Sequence, residues 1–303
     1  MTGTVAYFRN GLGNLIQMTP ALQALASMEE ERKVDVCLDS EWHDERRPAV
    51  DALLGAMPFV GQVVNFPAEK INQHRYHRWF YTPHSEPSQA YHLFESAGKR
   101  AISRVGWDRL FTREVDYYME AARRMGFHDT MPPLYCPVGE APALDAPRPW
   151  VGLCNGSFGW MAAVKRWPYF RDLARVLKAY TGGTVISLGS KGELPAIPGT
   201  VDYAGALSIL DTAAVIKRLD LLITVDTCLM HCADALGVPS VTLWGGTLIS
   251  KNGPTGVHAA VLRSGVECQP CQYTPRFQQC KAGHCLHALT VGEVMRSARD
   301  FLY

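Results

Sequence analysis

The chain has 303 residues, 47% apolar and 19% charged, with a net charge of +1. This length suits two domains, and the composition excludes a disordered or fibrous protein. Near-neutral charge excludes capture of nucleic acid by a global field, so an anionic partner has to be met by a local patch. No apolar run approaches the roughly 18 residues of a membrane span, and residues 1–15 lack the basic, apolar and small-residue order of a signal peptide. The expected setting is the cytoplasm, where the nine cysteines are read as reduced thiols or metal ligands rather than a disulfide scaffold.

Residues 5–8 read as a first strand. Arg9-Asn10-Gly11-Leu12-Gly13-Asn14 then opens an amphipathic helix that runs to Met28, with Pro20 as its irregularity. A Gly-x-Gly turn between strand and helix can bind a phosphate or sugar, or can be structural only. A dinucleotide fingerprint needs a third glycine, which Gly11-Leu12-Gly13-Asn14-Leu15-Ile16 lacks, so a nicotinamide-dependent oxidoreductase is a remote alternative. Residues 34–38 form the second strand, with Asp39, Glu41 and Asp44 beyond it.

From residue 67 to 113 the chain turns basic and aromatic, through His74, Arg75, Tyr76, His77, Arg78 and Trp79, then Lys99, Arg100, Arg104, Arg109 and Arg113. Such a stretch is either a solvated surface or a site where cations meet carboxylate and phosphate while rings stack on sugars. Anionic lipid headgroups would suit the same patch. Residues 114–127 read as a helix. Six prolines between residues 131 and 150 then mark a domain boundary.

The second half restarts the alternation. A strand at 150–154 ends in the loop Asn155-Gly156-Ser157, and Lys165-Arg166-Trp167-Pro168 leads into a helix at 169–180. A strand at 185–188 ends at Gly189, with Glu193 beyond, and a helix at 211–218 follows Leu207. Residues 221–225 and 240–244 have the length and branching of buried parallel strands flanking a helix. Asp226 and Thr227 stand at that helix start, on the carboxyl edge where open α/β sheets bind ligands and where free amides favour anions. His231 follows about one turn along. Alone, Asp226 reads equally as an N-cap. Gly245-Gly246-Thr247 ends the next strand on the same edge, and its glycines would let backbone approach a ligand. Cys268, Cys271, Cys280 and Cys285 cluster near the end, as four thiols in a loop or as a tetrahedral site for zinc or iron. The chain closes on an amphipathic helix at 290–302.

Three of these strings carry a resemblance to glycosyltransferase family 9, the lipopolysaccharide heptosyltransferases. They are GLGNLIQMTPALQAL, the Lys165-to-Pro168 string, and the block from Asp226 to Thr247. The resemblance implies a GT-B architecture: two Rossmann-like α/β domains with parallel sheets facing a cleft. Residues 1–140 would bind the acceptor, 141–149 would be a Pro-rich linker, and 150–289 would bind a nucleotide sugar and carry the Cys-rich loop 266–287. The helix at 290–303 would pack back on the first domain.

The resemblance implies transfer of a sugar, heptose above all, from an ADP-sugar to a hydroxyl of an anionic lipopolysaccharide-type glycan. No catalytic metal is expected. Peripheral contact at the inner face of the cytoplasmic membrane is compatible with that acceptor. Donor contacts fall on Asn155, Ser157, Lys165, Glu193, Leu207, Asp226, Thr227, Cys228, His231, Gly246 and Thr247. In this assignment Lys165 neutralises the diphosphate, Glu193 holds the ribose and Leu207 lies beside the base. Acceptor contacts fall on Gly11, Gly13, Asn14 and Gln17. Two positions depart from the family pattern. Cys228 replaces a glycine, and Asn14 replaces the aspartate that serves as general base. An amide orients a hydroxyl but cannot take its proton, so a non-catalytic nucleotide-sugar-binding relative is the second reading.

Overall fold

The structure, a computed structural model, describes residues 3–9, 11–38, 45–65, 75–81, 112–157 and 162–302. Asn10, Asp39, Glu41, Asp44, His74, Lys99, Arg100, Arg104 and Arg109 lie outside the described residues. The chain divides into two compact units at Pro137/Val138.

In the first unit, strands β1 (Gly3–Phe8), β2 (Val34–Leu38), β3 (Val60–Asn65) and β4 (Tyr76–Phe80) form a parallel sheet in the order β3-β2-β1-β4. β2 is buried along its whole length and β1 along most of it, as expected for strands covered by helices on both faces. Helix Leu12–Ser27 follows β1 and packs on helix Glu114–Arg124. Pro20 interrupts its hydrogen-bond ladder, because a proline at that position cannot donate to the Ile16 carbonyl. Thr19 Oγ1 donates to that carbonyl instead, at 2.7 Å, and the helix continues.

Charged side chains tie the amino ends of these strands. Asp35 accepts from the Gln62 amide and the Tyr76 hydroxyl, each at 2.7 Å, and pairs with Arg75 at 3.1 Å. Glu29 accepts from Thr4 and from Arg78. In the described part of the basic and aromatic stretch, the arginines pair with carboxylates of the first unit. Arg75 and Arg78 serve Asp35 and Glu29, Arg113 pairs with Asp116, and Tyr76 and Trp79 are core residues. The strand period puts Tyr76 and Trp79 on opposite faces of β4, and both are buried.

In the second unit, β5 (Trp150–Cys154), β6 (Thr184–Leu188), β7 (Val201–Asp202), β8 (Leu221–Val225), β9 (Ser240–Leu243) and β10 (Ala259–Leu262) form a parallel sheet, ordered β10-β9-β8-β5-β6-β7. The chain works outward from β5 to β7, then returns to place β8 on the other side of β5. That reversal is a doubly wound switch point, with a crevice at the carboxyl ends of β5 and β8. Gly182 and Gly237, with φ of 66° and 69°, end helices Phe170–Thr181 and Cys228–Leu236 in the left-handed conformation that glycine adopts freely. Helix Ile209–Ile216 begins two residues before the expected start, because Ser208 caps it by accepting from the Asp211 amide.

The segment after Val138 is held to the second unit: the Gly139 amide donates to the Leu210 carbonyl at 2.8 Å, and Arg218 donates to the Pro142 carbonyl at 3.0 Å. Residues 141–149 are thus hydrogen-bonded to the second unit. Helix Val291–Leu302, expected to cross to the first domain, buries Val294, Met295 and Ala298 in the second unit's own core. No helix among the described residues is long and apolar enough to cross a membrane.

Candidate functional site

The switch point places the loops after β5, β8 and β9 on one edge of the second sheet, and the expected donor residues gather there. Asp226, the first residue after β8, is 6% exposed, and its Oδ2 accepts from Lys165 Nζ at 2.7 Å and from Thr247 Oγ1 at 2.7 Å. Burial alone would raise the pKa of Asp226. The Lys165 ammonium, the two hydrogen bonds and the nearby His231 outweigh burial and hold the pKa below the usual carboxylate range. Asp226 is not the N-cap of the following helix. Thr227 is, with extended backbone (φ −149°, ψ 171°) and no side-chain capping bond, which leaves its hydroxyl beside the helix's first amides. The edge thus combines an anchored ammonium, a free cap hydroxyl and a helix N-terminus, the elements of an anion site.

His231 is buried one turn along the same helix. Burial chiefly lowers its pKa, to about 4, against the opposing pull of Asp226 and Asp234, so the ring is neutral near pH 7. A folded value below the unfolded one, near 6.5, means that protonation favours the unfolded chain as pH falls from 6.5 toward 4. The second unit is expected to lose about 2 kcal/mol between pH 7 and pH 5 from this group. Urea midpoints at the two pH values check this, with a His231→Gln variant expected to show the smaller difference.

Other expected contacts serve the protein rather than an open face. The Asn155 side chain clamps the Trp167 backbone, Oδ1 accepting from its amide at 2.8 Å and Nδ2 donating to its carbonyl at 3.0 Å. The side chain of Asn155 therefore positions the Lys165-to-Pro168 turn instead of presenting itself to a phosphate. The two glycines after β9 are packed against the chain on their Cβ side. A Cβ on Gly246 would lie 2.7 Å from Cys271 Sγ, and one on Gly245 would lie 2.8 Å from the Val164 carbonyl. The missing side chain of Gly246 admits the Cys-rich segment, whose Cys271 and Gln272 amides both donate to the Gly246 carbonyl at 2.9 Å.

Glu193 lies in a turn, not at a helix start. Its Oε2 accepts from the Ser190 amide at 2.7 Å and sits over Gly156, where a Cβ would lie 2.5 Å away. Its carboxylate thus spans the ends of β5 and β6. Leu207 is half-buried ahead of Ser208, and Ser157 is half-buried at the end of its strand's loop. The half-buried Cys228 lies with its sulfur 4.0 Å from that of Cys232.

In the first unit, Gly11 is the N-cap of helix Leu12–Ser27, with Gly13 and Asn14 half-buried in its first turn at the carboxyl end of β1. Gln17 is buried in the second turn, on the core side.

Among the described residues, no group of three or more His, Cys, Asp or Glu side chains is spaced to hold a metal ion. Cys271 packs with Val164 and Phe277, and burial raises the pKa of Cys271 and raises that of Cys285 to about 11, which keeps both as thiols. Sequence reasoning missed Gln269 and Gln272, which brace the glycine loop. Gln269 Nε2 donates to the Trp244 and Gly245 carbonyls at 2.6 and 2.8 Å, and Gln272 accepts from the Leu248 amide at 2.8 Å. Glutamines at no fixed spacing from a motif carry no signal that could have marked them.

Two parallel α/β units, the second doubly wound with a charged cluster at its switch point, have the GT-B fold. The model of glycosyltransferase family 9 (heptosyltransferase) matches residues 110–282, and the chain belongs to that family. It is 29% identical to lipooligosaccharide heptosyltransferase 2 of Haemophilus influenzae over 135 residues. That match spans 40% of this chain and 38% of the relative. The structure resembles E. coli ADP-heptose lipopolysaccharide heptosyltransferase II with a TM-score of 0.73 and 20% identity, covering 99% of this chain and 98% of that one. It also resembles E. coli heptosyltransferase WaaC with ADP-2-deoxy-2-fluoro heptose, with a TM-score of 0.66 and 14% identity over 98% and 99% of the two chains.

Proposed function

We propose that the chain is an inverting transferase that moves a heptose from ADP-heptose to a hydroxyl of an anionic lipopolysaccharide-type glycan, working in the cytoplasm or at the inner face of its membrane. The observation that carries this reading is the ion pair between Lys165 and buried Asp226 at the switch point of the second sheet, in a chain of family 9. The likeness to a relative solved with an ADP-heptose analogue supports the choice of donor.

In this reading the acceptor hydroxyl attacks the anomeric carbon, the carbon–oxygen bond to the diphosphate breaks, and the hydroxyl proton passes to solvent water. Charge accumulates on the departing diphosphate. Lys165, the Thr227 hydroxyl and the first amides of helix Cys228–Leu236 stabilise it. Asp226 anchors the ammonium before the substrate arrives, so no reorganisation is needed during the step. Glu193 holds the ribose hydroxyls and Leu207 lies beside the base.

The first unit supplies Gly11, Gly13 and Asn14 to the acceptor. Asn14 orients the hydroxyl without taking its proton, and this is the observation that favours the second reading, a nucleotide-sugar-binding protein without transfer. Product analysis after incubation with ADP-heptose and lipopolysaccharide-core acceptors separates the two. Transfer supports the enzyme, and binding without transfer or hydrolysis supports the binding protein. Asn14→Asp is expected to raise turnover by about 10²-fold, the lower range for a positioned general base. An unchanged rate would place the base elsewhere.

A further inference from the structure

We propose that the second unit carries a separate oxyanion pocket, lined by Arg166, Arg171, Lys281 and His287, that takes a phosphate monoester. The pocket has a volume of about 430 Å³, and its remaining walls include Asn155 and Trp167. Of the expected donor residues Asn155 alone lines it, while Lys165, Glu193, Asp226, Thr227 and Thr247 do not, and no carboxylate does. It therefore lies beside the Asp226 edge but is built from different side chains.

Its charge is uncompensated. Among the described residues, none of the four basic side chains has an ion-pair partner, although surface arginines elsewhere in the chain find Asp or Glu neighbours. Arg166 Nε is buried with no hydrogen-bond partner among the described residues. Leaving a buried guanidinium nitrogen unsatisfied is costly, and a bound anion would remove that cost.

The position of Arg166 is also fixed. Lys165 before it is held by Asp226, and Trp167 after it is clamped by Asn155 at both backbone groups. A guanidinium presented on an immobile backbone loses little entropy when it binds.

The opposite wall is supplied by the Cys-rich segment. Cys271 and Gln272 dock this segment on Gly246, and Lys281 and His287 follow on the same stretch. This gives the segment a role that requires no metal: it carries two cationic side chains to a pocket begun by Arg166 and Arg171. Three permanent cations around so small a volume favour a dianion over a monoanionic carboxylate, and guanidinium forks match the oxygens of phosphate.

Inorganic phosphate is the probe, titrated calorimetrically at constant ionic strength with the donor edge saturated by ADP. Wild-type protein is expected to bind it. The double variant Arg171→Gln/Lys281→Gln changes two exposed side chains, and it is expected to bind phosphate at least about 10-fold more weakly while its ADP affinity stays within about 2-fold. Phosphate binding that survives the double substitution, or that ADP abolishes, overturns the proposal. Failure to bind ADP overturns the donor assignment instead and leaves the phosphate titration interpretable on its own. Glucose 6-phosphate and vesicles containing phosphatidic acid then distinguish a phosphorylated sugar from a lipid headgroup as the source. Binding of either, lost in the double variant, supports the pocket, and binding of neither contradicts it.

Discussion

Lys165→Ala is expected to destabilise the second unit by about 3–5 kcal/mol, the range for stranding one member of a buried ion pair. The two side chains are 13% and 6% exposed, so solvent does little to replace the lost partner. Asp226 would retain only the Thr247 hydroxyl and the influence of His231 against a burial that opposes its ionisation.

The pH dependence follows from the direction of the shift. In the wild type the folded pKa of Asp226 lies below 3.8, so its stabilisation is complete above that value and is lost as pH falls through the lower, folded one. Removing Lys165 raises the folded pKa and moves the onset of acid unfolding to higher pH. ADP affinity should fall as well, by about 1.5–3 kcal/mol, the range for a charged hydrogen bond. Lys165→Met combined with Asp226→Asn separates the two effects. Urea unfolding should show stability largely recovered, because no unpaired charge remains, while calorimetry should show affinity still reduced. Recovery of both would mean that Lys165 serves the fold alone.

Trp167→Ala is expected to cost about 3–5 kcal/mol, as for other large buried aromatics. Trp167 is fully buried, packs edge-on against Phe170 with ring centroids 5.1 Å apart, and donates from Nε1 to the Leu289 carbonyl at 3.0 Å. It joins the entrance of helix Phe170–Thr181 to the segment before the last helix. Its backbone, clamped by Asn155, fixes the turn that carries Lys165 and Arg166. Trp167→Phe keeps most of the ring and loses one hydrogen bond, at an expected cost of about 1–2 kcal/mol. Thermal unfolding of the two variants checks the order. A Trp167→Ala protein as stable as Trp167→Phe would show that the cavity had collapsed without penalty.

The central strands were legible because parallel strands buried on both faces leave short unbroken apolar runs. β2, β5 and β8 have the residues expected of them. The pairing of Lys165 with Asp226 follows from motifs placed on one sheet edge, although they stand far apart in sequence. The packing around the glycines after β9 was not legible because a missing Cβ looks the same whether ligand or protein fills its place, and Cys271, which packs on Gly246, lies more than twenty residues further on. The partners of Arg75 and Arg78 were not legible for a related reason. A run of basic residues shows its charge in the sequence, while the carboxylates that absorb it, Asp35 and Glu29, belong to another element. Arg166, Arg171, Lys281 and His287 lie in two distant segments with no shared motif, so only the folded chain brings them to one pocket.

At the root of the functional reading is the binding of a nucleotide diphosphate where Lys165, Asp226 and Thr227 meet. Calorimetric titration of ADP into the wild-type chain and the Lys165→Met/Asp226→Asn variant tests this. Saturable binding to the wild type and at least about 10-fold weaker binding to the variant is the expected result. No binding to the wild type, or equal binding to both proteins, would contradict it.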